Sequence, residues 1–142
     1  MGIERIFLAD DAATAALGQR LAASLQPGDT VLLEGDLGAG KTTLARALVR
    51  ALAGDAELDV PSPSFALVQP YETPGGVPIL HADLYRIVDP RELDELGLFD
   101  RPDAIVLIEW PERARDILSG SLRSVTLSIP DTRAGRVAEV AW

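Results

Sequence analysis

The chain contains no cysteine, one histidine, one lysine and few aromatic residues (5%). Without cysteine, disulfides, thiolate metal sites and cysteine nucleophiles are all excluded. Long hydrophobic runs are missing too. Stretches such as Ile105 to Ile108 fall far short of the roughly 20 apolar residues that a membrane span needs, so no membrane association is expected. Met1 to Ala9 includes Glu4 and Arg5 and no long apolar stretch, so no signal peptide is expected and the chain is placed in the cytoplasm. Positive charge is also scarce: 13 basic residues face 22 acidic ones, a formal net charge of −9. A protein that grips a nucleic-acid backbone presents a basic face, because neutralising phosphates releases counterions. No basic run exists here, so contact with nucleic acid is expected only indirectly, through a partner.

What the chain does have is enough apolar sequence for one core. Its 142 residues, 47% apolar and 25% charged, fit a single globular domain over residues 1–142. Asp10 or Asp11 can cap a helix running to about Leu25, with Leu17, Leu21 and Leu25 on one face, until Gln26-Pro27-Gly28-Asp29 stops it. Thr30 to Leu33 reads as a short buried strand of a parallel sheet. Leu44, Leu48, Val49 and Leu52 mark the inward face of a second helix, which Gly54 ends. Phe65 to Tyr71 and Val77 to Tyr85 read as strands joined by the antiparallel turn Thr73-Pro74-Gly75-Gly76. A short helix is expected around Arg91 to Leu98, with Asp89 as its cap and Pro90 in its first position. Ala104 to Ile108 reads as a second buried strand, and Pro111 to Leu118 as a short helix. Val125 to Ile129 and Val137 to Trp142 are two further strands. The order, with its β-rich insert, predicts an α/β fold: one mixed sheet flanked by helices.

Between the first buried strand and the second helix lies Gly35-Asp36-Leu37-Gly38-Ala39-Gly40-Lys41-Thr42, followed by Thr43. Glycines at these spacings let backbone N–H groups turn inward around a phosphate. The positive end of the following helix adds to that field. Lys41 can reach the β- and γ-phosphates, the Thr42 hydroxyl can ligate Mg²⁺, and Thr43 is placed for the α-phosphate. A glycine-rich turn before a helix is the simpler alternative. The strand-loop-helix setting argues against it, as does Lys41 being the only lysine among otherwise arginine cations. At a phosphate a compact ammonium does what a planar guanidinium fork does less well.

Binding alone needs no more than this loop; hydrolysis also needs a group to hold Mg²⁺ and one to orient water. Glu109 follows four apolar residues at the C-terminal end of a strand, where open α/β sheets place ligands. It is the candidate for the metal, although a strand-end glutamate can also simply face solvent. Asp83 lies in His81-Ala82-Asp83-Leu84-Tyr85-Arg86 and, if buried, requires a partner. It can position water or accept a proton, or merely pair with Arg86 or cap a turn. His81, as a lone histidine, reads more readily as structural than as catalytic. Ser62-Pro63-Ser64-Phe65 can be a mobile loop that senses a γ-phosphate, or an ordinary turn. Trp110 reads first as packing.

Five motifs in order resemble the TsaE (YjeE) family, the bacterial ATPase of the tRNA threonylcarbamoyladenosine pathway. They are Gly35 to Thr43, Ser62 to Phe65, His81 to Arg86, Glu-Leu-Asp-Glu-Leu-Gly-Leu at Glu92 to Leu98, and Ile-Glu-Trp-Pro-Glu at Ile108 to Glu112. The resemblance runs from Asp10-Asp11 to Gly135-Arg136. It implies a P-loop NTPase-like mixed sheet with an inserted antiparallel strand arm and weak ATPase activity alone, using ATP and Mg²⁺ and working with TsaD and TsaB. Those partners transfer threonylcarbamoyl from threonylcarbamoyl-AMP to N6 of adenosine 37 in tRNAs reading ANN codons, and ATP hydrolysis resets their complex. By the same resemblance, Thr42 and Glu109 hold Mg²⁺, Lys41 and Asp83 assist hydrolysis, and Ser62, Pro63, Ser64 and Phe65 form a switch. Trp110 is a functional position, and Asp11 and Arg136 lie by the adenine and ribose. Asp36, Leu37, Gly38, Ala39, Gly40, Lys41, Thr42 and Thr43 complete the ATP-binding set. Ser64 stands where the family's switch usually has threonine, which keeps the hydroxyl. The sequence ends at Trp142, before the tail of many members, so no tail function is expected.

Two other readings share the loop. One is a small-molecule or nucleotide kinase, which would need an acceptor site and a lid arginine; Arg101 and Arg113 follow Leu98, but no glycine-flanked lid is evident. The other is a nucleotide-sensing scaffold in which hydrolysis is incidental.

Overall fold

The computed structural model describes residues 2–89, 91–118 and 121–142; Pro90, expected in a first helical position, lies outside the described residues. Along the chain run β1 (Ile3–Leu8), α1 (Asp11–Ala22), β2 (Asp29–Glu34), α2 (Lys41–Ala53), β3 (Val68–Glu72) and β4 (Pro78–Asp83). Then come α3 (Arg91–Leu96), β5 (Ile105–Glu109), a 3-10 helix (Pro111–Ile117), β6 (Ser121–Ser128) and β7 (Arg136–Ala141). The strands form one seven-stranded sheet in the order β1-β7-β6-β2-β5-β4-β3.

The apolar runs take the centre of this sheet because only there are both faces covered. β2 pairs parallel to β5 on one side and to β6 on the other, and β4 pairs parallel to β5. The antiparallel pairs sit outside them: β3 with β4, and β1 and β6 with β7. Side chains alternate across a strand, which sorts the core into two layers. Val31, Leu33, Ile79, Ile105 and Leu107 pack with Leu44 and Leu48 of α2 and with Leu17 and Leu21 of α1. Leu32, Ala82, Val106 and Ile108 face the other way, toward Leu93, Leu98 and Ala114. The same alternation puts His81, Asp83 and Glu109 on the α2 face.

Caps define the helices. The Asp10 carboxylate accepts the Ala13 N–H at 2.9 Å at the start of α1. Gly54, with φ of 69°, closes α2 by donating its N–H to the carbonyls of the last turn. α1 and α2 approach so closely that a Cβ on Gly18 would lie 2.5 Å from the Ala47 Cβ.

Several boundaries differ from expectation. α1 ends at Ala22 rather than near Leu25, although Leu25 is still buried. The strand expected from Phe65 starts only at Val68, because residues 64–66 form a turn and Leu67 adopts a left-handed φ of 69°. β4 occupies Pro78–Asp83 and gives way to a turn before Tyr85. The segment after Trp110 is a 3-10 helix broken at Ala114, with φ of −130° there, rather than a regular α-helix. β1 was not anticipated at all. It is an edge strand, with Ile3 and Phe7 exposed and only Leu8 buried.

Because no space separates the two helices at Gly18, Gly18→Val is expected to lower stability by about 1–3 kcal/mol, the usual range for overpacking. Denaturant unfolding measures this; an unchanged midpoint would contradict the packing described.

Candidate functional site

The site begins where β2 ends. The chain leaves the sheet at Glu34, curls through residues 35–40 and enters α2 at Lys41. Gly35 and Gly40 carry φ of 143° and 103°, a region that L side chains rarely adopt, so glycine is required at both. Ala39 is buried and donates its N–H to the Asp36 carbonyl at 3.1 Å, while Leu37 stands out from the loop, 66% exposed. Lys41 is 5% exposed. Its ammonium donates to the Gly35 carbonyl and, at 3.0 Å, to the Asp36 carbonyl. Burial pulls the Lys41 pKa below the ordinary lysine value; the charges of Glu109, Glu112, Asp36 and Asp83 push it back up. The lysine therefore sits in a field of carboxylates.

Parallel pairing of β2 with β5 sets Leu33 in register with Glu109, which brings Glu109 to the first turn of α2. Glu109 is 2% exposed. Its Oε1 accepts the Thr42 hydroxyl at 2.7 Å. Its Oε2 meets Nε2 of His81 at 2.6 Å. A carboxylate only accepts, so Nε2 carries the hydrogen in that pair. Asp83, in register with Glu109 on β4, is 8% exposed. Its Oδ1 accepts the Tyr85 N–H at 3.0 Å, and its Oδ2 lies 3.5 Å from the Ser64 hydroxyl. Arg86, an alternative partner for Asp83 on the sequence, lies over the Phe65 ring, 4.5 Å from its centroid.

Ser62 to Phe65 reaches the site as a turn. Ser62 and Ser64 share a hydrogen bond of 2.7 Å. The turn is tied down by Leu67, whose N–H donates to the Pro63 carbonyl at 2.7 Å and whose carbonyl accepts the Asp83 N–H at 2.9 Å. Phe65 points outward, 84% exposed. Trp110 lines the same site beside Glu109. It adopts φ 59°, ψ 53°, a left-handed conformation that costs a bulky residue energy. Its ring lies 3.9 Å from the Lys41 ammonium and 4.8 Å from the Tyr85 ring, centroid to centroid. That stacking shields the ammonium from water.

These groups line one cavity of about 320 Å³, bounded by Leu37, Gly38, Gly40, Lys41, Thr42 and Thr43 on one wall and by Ser62, Ser64, Asp83, Glu109 and Trp110 on the other. A second cavity of about 270 Å³ shares Gly38, Gly40 and Thr43, and adds Asp11, Thr14 and Arg136. Arg136 is engaged with the loop: Nε and Nη2 donate to the Gly38 carbonyl at 3.1 and 3.0 Å. A larger cavity of about 530 Å³ between α1 and α2 touches Asp11 and Thr43, but its walls are mostly helix surface. Its arginines, Arg46 and Arg50, donate to the Val60 and Leu58 carbonyls. The structure thus brings together Lys41, Thr42, Ser62, Ser64, Asp83, Glu109 and Trp110. It sets Asp11 and Arg136 apart, in the neighbouring cavity. Sequence reasoning passed over His81 as a partner of Glu109, and Tyr85 as support for Trp110. The available signal for His81 was its position two residues before Asp83 on the same strand face.

No group of three or more His, Cys, Asp or Glu able to cage a metal occurs among the described residues. A Mg²⁺ ion does not need such a cage, being held by one or two carboxylates together with substrate phosphates. Thr42 and Glu109 fit that pattern.

A strand-loop-helix cradle with a buried carboxylate on the adjacent parallel strand defines a P-loop NTPase-like fold. Within that class, the family model described as Threonylcarbamoyl adenosine biosynthesis protein TsaE matches residues 8–137. The chain belongs to the TsaE family. A relative from Rickettsia felis, "tRNA threonylcarbamoyladenosine biosynthesis protein TsaE", is 39% identical over 127 residues, 89% of this chain and 73% of its own length. The protein of the same name from Mycobacterium bovis is 38% identical over 138 residues, covering 91% of this chain and 81% of that one. The crystal structure of YdiB from Bacillus subtilis superposes with a TM-score of 0.75 at 26% identity, over 98% of this chain and 85% of that one. No helix among the described residues is long and apolar enough to cross a membrane.

The two Arg136 bonds pin the tip of the loop. Arg136→Ala is expected to speed amide exchange at Ala39, whose N–H is held by the Asp36 carbonyl, about tenfold or more, with global stability changed by less than about 1 kcal/mol. Hydrogen exchange read by NMR tests this; unchanged loop protection would contradict it.

Proposed function

We propose that this protein is a cytoplasmic Mg²⁺-dependent ATPase that serves threonylcarbamoyl modification of adenosine 37 in tRNAs reading ANN codons. In that role it resets a TsaD–TsaB transferase complex between turnovers. The observation that carries the ATPase reading is the 2.7 Å contact between Thr42, at the head of α2, and Glu109, at the end of β5. It sets a hydroxyl and a carboxylate side by side at the head of α2, and these two groups would hold the divalent ion. The tRNA pathway follows from membership of the TsaE family, and the acidic net charge of −9 favours docking on proteins over gripping tRNA.

The residues divide the work. Backbone N–H groups of residues 38–43 and the Lys41 ammonium take the phosphates. Thr42 and Glu109 would hold Mg²⁺, which when bound neutralises phosphate charge. Asp83, with one oxygen held by the Tyr85 N–H and the other toward Ser64, orients water or takes up its proton. Ser62 and Ser64 supply hydroxyls that can follow the terminal phosphate. Asp11 and Arg136 border the nucleoside side. One lysine among several carboxylates cannot by itself balance a triphosphate, so tight ATP binding should require the divalent ion.

Lys41→Ala is expected to weaken ATP binding about a hundredfold, about 2.8 kcal/mol, read by calorimetry. Glu109→Ala should keep metal-free nucleotide binding within a few-fold while turnover falls about a hundredfold or more. Reconstitution with TsaD, TsaB, threonylcarbamoyl-AMP and tRNA tests the pathway role: added protein and ATP should increase multiple-turnover modification. No stimulation would refute that role and leave ATP binding standing. ADP release that depends on an added acceptor and yields a phosphorylated product would point to a kinase instead. Full cycling by the Glu109 variant would point to a scaffold.

A further inference from the structure

His81 is buried completely, at 0% exposure, in the middle of a sheet. One ring nitrogen, Nδ1, has no hydrogen-bond partner there. The other, Nε2, meets Glu109 Oε2 at 2.6 Å. A leucine would fill the same space with no unpaired nitrogen of its own, so packing alone does not account for an imidazole at this position. The contact with Glu109 does. Period-two alternation sets His81 and Asp83 on one face of β4, and the β4–β5 register places Glu109 opposite Asp83. His81 therefore reaches Glu109 from the buried side, while Thr42 engages the other carboxylate oxygen at 2.7 Å.

We propose that His81 is a positioning residue. Its Nε2–H fixes Oε2 of Glu109, so that Oε1 is presented to Thr42 and to the divalent ion that the two residues would share. This rests on the metal-binding reading of Thr42 and Glu109 given above. Without the histidine bond, the carboxylate is free to rotate about its terminal torsion, which has no sharp preference of its own. The loss would fall on cation affinity. It would not fall on the phosphate contacts made by Lys41 and the loop backbone.

Three measurements test this. Mn²⁺ binding, read by electron paramagnetic resonance with ADP present, should weaken at least tenfold in His81→Phe. His81→Gln, whose amide nitrogen can occupy nearly the same place as Nε2, should recover most of that loss. Metal-free ADP affinity should stay within about twofold in both variants. Because the chain has one histidine, its ring signals in a ¹⁵N-correlated NMR spectrum are unambiguous even if a variant fails to fold. The wild-type ring should show a slowly exchanging Nε2–H and a bare Nδ1. Equal Mn²⁺ affinity in folded His81→Phe and wild type, or a ring hydrogen on Nδ1, would overturn the inference while leaving the site reading intact. A wild-type protein that binds no Mn²⁺ with ADP would overturn both.

Discussion

The parallel pairing of β2 with β5 is the constraint on which the rest depends. β2 feeds the glycine loop and α2; β5 ends in Glu109. Hydrogen-bonding the two side by side, with Leu33 opposite Glu109, puts a carboxylate beside the first turn of α2 without any contribution from loops. The pairing holds because Val31 to Leu33 of β2 and Ile105 to Ile108 of β5 are continuous apolar runs. Val31, Leu33, Ile105 and Leu107 bury one face against α1 and α2; Leu32, Val106 and Ile108 bury the other. Slipping the register by one residue would turn Glu109 to the opposite face and expose alternate core residues. The same hydrophobic pattern that stabilises the sheet therefore fixes the site's geometry.

Charge gives the second half of the account. A single lysine is enclosed by the loop and by Trp110, within reach of several carboxylates. On the function proposed above, one lysine among these carboxylates leaves part of a polyanion's charge to be balanced by a divalent ion. Trp110 keeps a left-handed backbone conformation to lie over the ammonium. Strain of that kind persists only where neighbours enforce it, and here the Tyr85 ring packs, tilted, against the indole. Leu37, which lines the cleft, and Phe65, next in sequence to the lining Ser64, are both exposed.

Local features were legible in the sequence; cross-strand ones were not. The loop, α2 and its Gly54 stop, and the two central strands could be read directly, because each depends on residues close together in the chain. The Thr73–Gly76 turn was legible for the same reason. β1 was not, since Ile3 to Leu8 carries Glu4 and Arg5 and is held as a strand by β7, more than a hundred residues away. The strand expected from Phe65 was overruled by the turn that docks Ser64 beside Asp83, a contact between distant segments. In the site, the residue types announced Lys41, Thr42 and Glu109. That His81 bonds Glu109, and that Arg86 goes to Phe65 rather than to Asp83, depends on register and rotamer, which no single segment encodes.

The claim that Thr42 and Glu109 act as one unit toward a divalent ion is open to a double-mutant cycle. Mg²⁺·ATP affinity would be measured calorimetrically for wild type, Thr42→Val, Glu109→Gln and the double variant. Groups that share one ion should show a coupling energy of about 1–3 kcal/mol, with the second substitution costing far less than the first. Losses that simply add, within about 0.5 kcal/mol, would mean that the 2.7 Å contact between them is incidental and that the ion is held elsewhere.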